Sequence, residues 1–312
     1  MKVLFFGTGA FGLPALDALK KSSHTLSSIV TTLDKPKGRH LKPKASPVKD
    51  WAGQNNLPYL EVSKKNMAQL PPLIQSLEAD LFVVIAFGIL LSKELLGIPK
   101  LMALNVHSSL LPRYRGAAPI HWALINGDAE TGVTVMRMTE KLDAGDILLQ
   151  KKMALMPEDD MGSLEKRLSL LGADALLEAI ESLGNPATRF TAQDETLSTV
   201  ARKITKEDGR IIWSRQAVEI MRYIRALKVW PKSYFFYEGQ RMLVLGAEIT
   251  DEENNRRFAP GTLVCASAEQ GIRIAASDRI IRINRLQLEG RRPLLAAEFL
   301  RGFPLKAQAV LE

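Results

Sequence analysis

Val3-Leu-Phe-Phe-Gly-Thr-Gly-Ala-Phe-Gly12 runs into Leu13-Pro-Ala-Leu-Asp-Ala-Leu-Lys20, and this passage decides the fold class. The apolar run Val3 to Phe6 predicts a strand buried on both faces, and the periodic apolar positions over Ala10 to Lys20 predict a helix. Further strands are expected over Ser28 to Thr32, Asp80 to Ala86 and Leu101 to Val106. Such strands, separated by helical stretches, predict a Rossmann-like, mostly parallel sheet with α/β winding. An amphipathic helix over Ser163 to Leu183 closes this half, and Gly184-Asn-Pro186 ends it.

Beyond that helix the periodicity lapses. A surface connector over 190–206 is expected to divide the chain into a domain at 1–189 and another at 207–312. The second opens with a helix over Gln216 to Leu227. Short alternating segments follow at Gln240 to Leu245, Gly261 to Ala266, Gly271 to Ala275 and Ile280 to Gln287. Their turns and alternation predict a small β-barrel.

Composition agrees with two cores, since 312 residues at 46% hydrophobic exceed what one core usually holds. The one cysteine, Cys265, excludes a disulfide framework and a cysteine-rich metal site, so no metal is expected. The start Met1-Lys-Val-Leu-Phe-Phe is cut short by Gly7, and no apolar run reaches the length of a membrane span. A cytoplasmic protein with no membrane partner is the expectation. A net charge of +8 favours an anionic partner modestly.

Gly7-Thr-Gly9-Ala-Phe-Gly12 follows a strand, opens a helix and precedes Asp34, which formally satisfies the dinucleotide fingerprint. A tight turn with close packing demands the same glycines without any nucleotide. The packing reading is preferred, and NAD is not expected.

The chemistry lies in Asn105-Val-His107-Ser-Ser-Leu-Leu-Pro112 and in Asp143 of Lys141-Leu-Asp-Ala-Gly145. When an amine attacks a formyl carbon, negative charge grows on oxygen and positive charge on nitrogen. An amide and an imidazolium can donate to the first. Asn105 and His107 are two apart, so a strand places them on one face. Asp143 either holds the imidazole charged or takes the amine proton through a water. Taken singly, each has a bland alternative: a hydrogen-bonded structural histidine, a turn-forming aspartate.

The run from Asn105 through Arg113-Tyr-Arg-Gly-Ala-Ala-Pro-Ile120, together with Thr131-Gly-Val-Thr134 and Asp143-Ala-Gly-Asp146, resembles the folate-dependent formyltransferase family. Lys203-Ile-Thr-Lys-Glu-Asp-Gly-Arg-Ile-Ile-Trp213, Val229-Trp-Pro231 and Gly290-Arg-Arg-Pro293 extend the resemblance over nearly the whole chain, on the tRNA-acting side of the family. It implies 10-formyltetrahydrofolate as donor, methionine esterified to initiator tRNA as acceptor, an OB-like second domain, and Asn105, His107 and Asp143 as the catalytic set. It also implies a folate site formed by Phe87, Gly88, Ile89 and Leu90, by Ser109, Leu110, Leu111 and Pro112 beside the reacting nitrogen, and by Leu142 to Asp146. Arg137 departs from the family pattern, which commonly has a neutral glutamine there. A monomer is expected.

Asp34 to Lys49 carries Lys35, Lys37, Arg39, Lys42, Lys44 and Lys49 against one acid, with three prolines and a glycine. It reads as an unpacked, mobile cationic loop at the active-site edge of the sheet, suited to an acceptor stem. Arg210 to Lys232 has six basic residues against Glu219, and Arg273 to Lys306 has eight against three acids. Arg222 and Arg225 share a helical face, and contacts from these cations would go mainly to phosphates. A sugar-nucleotide formyltransferase is the main rival, being compatible with the same plan and trio. A purine-pathway formyltransferase, an NAD-linked oxidoreductase and an inactive RNA-binding relative fit less well.

Overall fold

In the computed structural model, which describes residues 1–37 and 42–311, β1 (Lys2–Gly7) turns into α1 (Leu13–Lys21) and β2 (Thr25–Thr32). A hairpin of β3 (Lys35–Lys37) and β4 (Lys42–Lys44) leads to α2 (Pro47–Gln54) and β5 (Tyr59–Val62). Then come α3 (Leu70–Gln75), β6 (Leu81–Ile85), α4 (Lys93–Leu96), β7 (Met102–His107), β8 (Arg115–Gly116), α5 (Pro119–Asn126), β9 (Glu130–Arg137), β10 (Ile147–Ala154), α6 (Met161–Ser182) and β11 (Val200–Ala201).

Seven of these strands form a sheet in the order β10-β9-β7-β6-β1-β2-β5. The strands from β7 to β5 are parallel, as the apolar runs demanded, while β9 and β10 extend the β7 edge antiparallel. β6 is buried along its whole length. Phe6 packs on Phe82 at 5.0 Å and edge-on against Phe87 at 5.5 Å, so the strands are pinned to the loop that leaves β6. Strand order reverses between β1 and β6, and β7 lies beside β6. Ligands in such sheets bind beyond the carboxyl ends at this place.

The cationic stretch departs from expectation. Instead of an unpacked loop it holds the β3–β4 hairpin and the start of α2. The signal overlooked was Ser46-Pro47: the Ser46 hydroxyl accepts from the Lys49 amide at 3.0 Å, and proline sits in the first helical turn. Val48, Trp51 and Ala52 on that helix are buried. Lys49 is bound by Asp34 and Glu61, each at 2.9 Å, and these two bonds raise its pKa. Arg39 lies outside the described residues.

By their contacts the residues divide into two units, the first of Met1–Pro119, Glu130–Ala154 and Glu165–Ala201, the second of Ile120–Ala129, Leu155–Leu164 and Arg202–Glu312. The second holds α7 (Ala217–Ala226), β12 (Ser233–Tyr237), β13 (Gln240–Glu253), β14 (Leu263–Ser267), β15 (Gly271–Ala275), β16 (Arg279–Leu288), β17 (Leu294–Leu295) and α8 (Ala296–Gly302). Its sheet runs β12-β13-β16-β15-β14, with β17 on β16, all antiparallel. Register shifts interrupt the β13–β16 pairing, which lets the long strand bend as a barrel-like domain requires. Trp213, Phe235, Ile281 and Phe299 fill its core. No helix among the described residues is long and apolar enough to cross a membrane.

Candidate active site

β7 delivers Asn105 and His107 to one face, and the two residues end differently. The His107 side chain is 8% exposed, and its Nε2 lies 2.9 Å from the Tyr114 carbonyl oxygen. A carbonyl only accepts, so this ring nitrogen carries a proton and donates. Nδ1 is left facing Asp143 Oδ2 at 3.7 Å, within reach of charge attraction but too long for a good hydrogen bond. Asn105 keeps its Oδ1 buried without a partner among the described residues. A buried orphan acceptor costs about 1–3 kcal/mol, and such atoms tend to mark functional sites.

Asp143 is 10% exposed and sits at φ 50°, in the left-handed region that aspartate tolerates. Its Oδ2 accepts the Gly116 amide at 2.8 Å. Gly116 has φ 119°, and a Cβ there would lie 2.7 Å from the Ala201 carbonyl oxygen, so glycine is required twice over. The structure therefore sets His107 beside Asp143, both largely shielded from solvent, with Asn105 on the same face of β7 as His107; charges so shielded act more strongly than in water.

The Ser109–Pro112 loop is held from below. Thr134 Oγ1 donates to the Ser109 carbonyl at 2.7 Å and accepts from the Leu111 amide at 3.1 Å. Gln150 Nε2 donates to the Leu111 carbonyl at 2.8 Å and to Thr134 Oγ1 at 2.9 Å. The Ser109 hydroxyl donates to the Arg113 carbonyl at 2.7 Å, so it shapes the loop. Leu110 passes over Gly132, where a Cβ would meet its side chain at 2.6 Å. Leu111 is buried and Pro112 half-buried.

Beyond β6, Ala86 adopts φ 47° and Gly88 φ 78°. The amides of Thr8 and Gly9 both donate to the Ala86 carbonyl at 3.3 Å, and the Thr8 hydroxyl donates to that of Phe87 at 3.2 Å. A Cβ on Gly7 would strike the Phe5 ring at 2.5 Å. The glycine-rich turn thus commits to the β6 loop two of the amides a pyrophosphate would need. Phe87 faces the core, Gly88 has open space where a Cβ would stand, Ile89 is half-buried and Leu90 is 66% exposed. An open glycine, apolar side chains and strained backbone suit the flat, amide-rich edge of a pterin. Asp146 accepts the Arg137 amide through its carbonyl at 2.9 Å, and the Arg137 guanidinium stacks over Phe190 at 4.3 Å, which gives the unexpected arginine a partner.

Sequence reasoning missed Tyr114, Gly116, Gln150 and Gln193. The last donates from Nε2 to the carbonyls of Asp143 at 2.9 Å and Gly145 at 2.7 Å, although it lies in the stretch read as a connector. Elsewhere, Arg222 reaches the Asn126 carbonyl at 3.4 Å and Arg225 that of Pro157, all within the second unit. Burial, and next Arg222, lower the pKa of Arg225.

The chain belongs to the formyl transferase family: the description "Formyl transferase" matches residues 1–180 and "Formyl transferase, C-terminal domain" residues 203–304. Within the family, a relative from Coxiella burnetii named methionyl-tRNA formyltransferase is 42% identical over 301 residues, covering 96% of this chain and 95% of its own. A Geotalea daltonii protein of the same name is 39% identical over 311 residues, covering 100% and 98%. Solved structures share the fold. HypX from Aquifex aeolicus, in complex with tetrahydrofolic acid, has a TM-score of 0.67 at 16% identity, covering all of this chain and 50% of its own. An N-formyltransferase from Helicobacter canadensis, in complex with folinic acid and dTDP-3-aminofucose, has 0.64 at 16%, covering 91% and 99%.

Proposed function

We propose that this chain transfers the formyl group of 10-formyltetrahydrofolate to the free amino group of methionyl-initiator tRNA, in the cytoplasm. The observation that supports the reading is the His107–Asp143 pair, with Asn105 on the same strand face, in a family member whose full-length relatives bear that name. The donor is held by the backbone around Gly88, the apolar side chains of Ile89 and Leu90, and the loops at 109–112 and 142–146. It supplies the activated formyl carbon; the residues do the rest.

Asn105 has one carboxamide oxygen still to satisfy, which suits an N–H of the incoming amine, while its Nδ2 donates to the formyl oxygen. His107 is fixed through Nε2 by the Tyr114 carbonyl, so a protonated Nδ1 aims at the charge developing on oxygen. Asp143 keeps one oxygen on the Gly116 amide and uses its charge to hold the imidazolium or accept the amine proton through water. No covalent enzyme intermediate is needed. One donor is worth roughly 100- to 1000-fold in rate, and a placed base roughly 100- to 10,000-fold.

Lys35, Lys37, Arg39, Lys42 and Lys44 are assigned to the tRNA. The hairpin register sets Lys35 opposite Lys44 and Lys37 opposite Lys42. Lysines in such number favour a polyanion, whose phosphates they would neutralise. Arg222 and Arg225 of the second unit are assigned to tRNA phosphates as well, which would displace their carbonyl partners. Incubating the chain with labelled 10-formyltetrahydrofolate and either methionyl-initiator tRNA or an amino-sugar nucleotide tests the reading. Formylation of the tRNA alone is expected; transfer to the sugar alone would reject it.

A further inference from the structure

We infer that Gln193 and Arg115 are positioning residues for the reaction, and that segment 191–201 is a strap that sets the geometry of His107 and Asp143. The inference rests on the catalytic reading of those two residues. All of the groups involved lie in the first unit.

The loop carrying Asp143 is bent hard, since Asp143 has φ 50° and a Cβ on Gly145 would run into the Arg137 carbonyl oxygen. What holds the bend is one carboxamide. Gln193 Nε2 spans the carbonyls of Asp143 and Gly145 at 2.9 and 2.7 Å, which uses both of its N–H groups. Its Oε1 accepts from Arg115 Nε at 3.0 Å and Nη2 at 2.8 Å. The guanidinium then forks onto Glu195, at 2.9 and 3.0 Å.

The same strap grips the opposite wall. Thr199 Oγ1 accepts the Tyr114 amide and the Thr199 carbonyl the Arg115 amide, each at 2.8 Å, and the Ala201 carbonyl accepts the Ala117 amide at 2.9 Å. Tyr114 in turn fixes His107 through its carbonyl, and Gly116 fixes Asp143 through its amide. Both members of the pair therefore reach segment 191–201 through at most a short stretch of backbone. Arg115 is 13% exposed and Glu195 70%, so Gln193 is the inner support and Glu195 the solvent-side end of the network.

Reacting groups must hold their geometry to about 0.5 Å, and a shift of about 1 Å can cost roughly 100-fold in rate. Gln193→Glu keeps the size and the Arg115 contact but replaces both donors with an oxygen facing two carbonyls. Its kcat is expected to fall about 10- to 100-fold while KM for folate and for tRNA stays within about threefold. Gln193→Leu, which adds no charge, should do the same, and Glu195→Gln should stay within about twofold. A readout independent of activity is the set of ring-nitrogen NMR signals from the four histidines. That of His107 should move in both Gln193 variants and not in Glu195→Gln. Wild-type kcat with an unmoved His107 signal, or a rise in KM at unchanged kcat, would overturn the inference. A wild-type chain inactive on methionyl-tRNA would instead reject the formyl-transfer reading, and the His107 signal would still decide the strap.

Discussion

Replacing Asp143 by asparagine separates chemistry from architecture. Asparagine has the same size, tolerates the φ of 50°, and its carbonyl can still accept the Gly116 amide now bonded at 2.8 Å. What is lost is the charge on a side chain 10% exposed, 3.7 Å from His107 Nδ1. A charge-assisted bond exceeds a neutral one by about 1 kcal/mol, so melting should fall by only about 2–4 °C in a cooperative unit of roughly 150–250 residues. The kinetic loss should be far larger. Removing a positioned proton acceptor costs about 100- to 10,000-fold, or about 2.7–5.5 kcal/mol of barrier. Single-turnover formylation of methionyl-initiator tRNA at saturating donor measures this, and calorimetric titration gives folate affinity alongside. A folded variant that turned over at the wild-type rate, or that lost folate affinity and nothing else, would make Asp143 a pocket wall.

Asn105→Ala should lower turnover about 100-fold yet leave the melting temperature unchanged or raised, because the unpartnered Oδ1 leaves with the side chain; a drop in stability with full activity would contradict this. Neutralising Lys35, Lys37, Arg39, Lys42 and Lys44 together should weaken tRNA affinity and flatten its salt dependence, by about 0.7–0.9 in logarithmic slope for each phosphate no longer neutralised, with folate binding unaltered. A retained slope would make the hairpin a solvated surface. Adding NAD should not raise the melting temperature, since the Thr8 and Gly9 amides are already bonded to Ala86; micromolar binding would refute that. Asp208 is held at a pKa of about 2 by Arg202, so its stabilisation is present above about pH 4 and is lost progressively as pH falls from there through about 2. Because Arg202 is half exposed, Asp208→Asn should cost about 1 kcal/mol at pH 7 and progressively less as pH falls through about 2, which acid-unfolding curves resolve.

In the first unit β1, β6 and β7 were read from continuous apolar runs, because two covered faces leave an unambiguous signal, while β13 to β16 were read from short alternating segments between turns. β5 and β10 escaped, since an edge strand such as Ile147–Ala154 alternates half-buried and exposed positions and carries two lysines. The hairpin and α2 were hidden under charge, although Ser46-Pro47 was a visible start signal. In the site, Asn105 and His107 were legible from their spacing on a strand. Gln193 and Tyr114 were not, because one acts through a side chain reaching backbone 50 residues away, and the other through a carbonyl that every residue possesses.

The bond from Ala201 to Ala117 implies that the limit of the folded sheet and the limit of a working catalyst are different points on the chain. A protein cut after α6, at Ser182, would retain every strand of the large sheet and all three polar groups, yet lose the bonds from Gln193 and Thr199 that brace the Asp143 loop and Tyr114. Transplanting this active site into another protein would therefore mean carrying residues as far as Ala201, and a protease that nicked the chain near the exposed Val200 could silence it while leaving the fold intact.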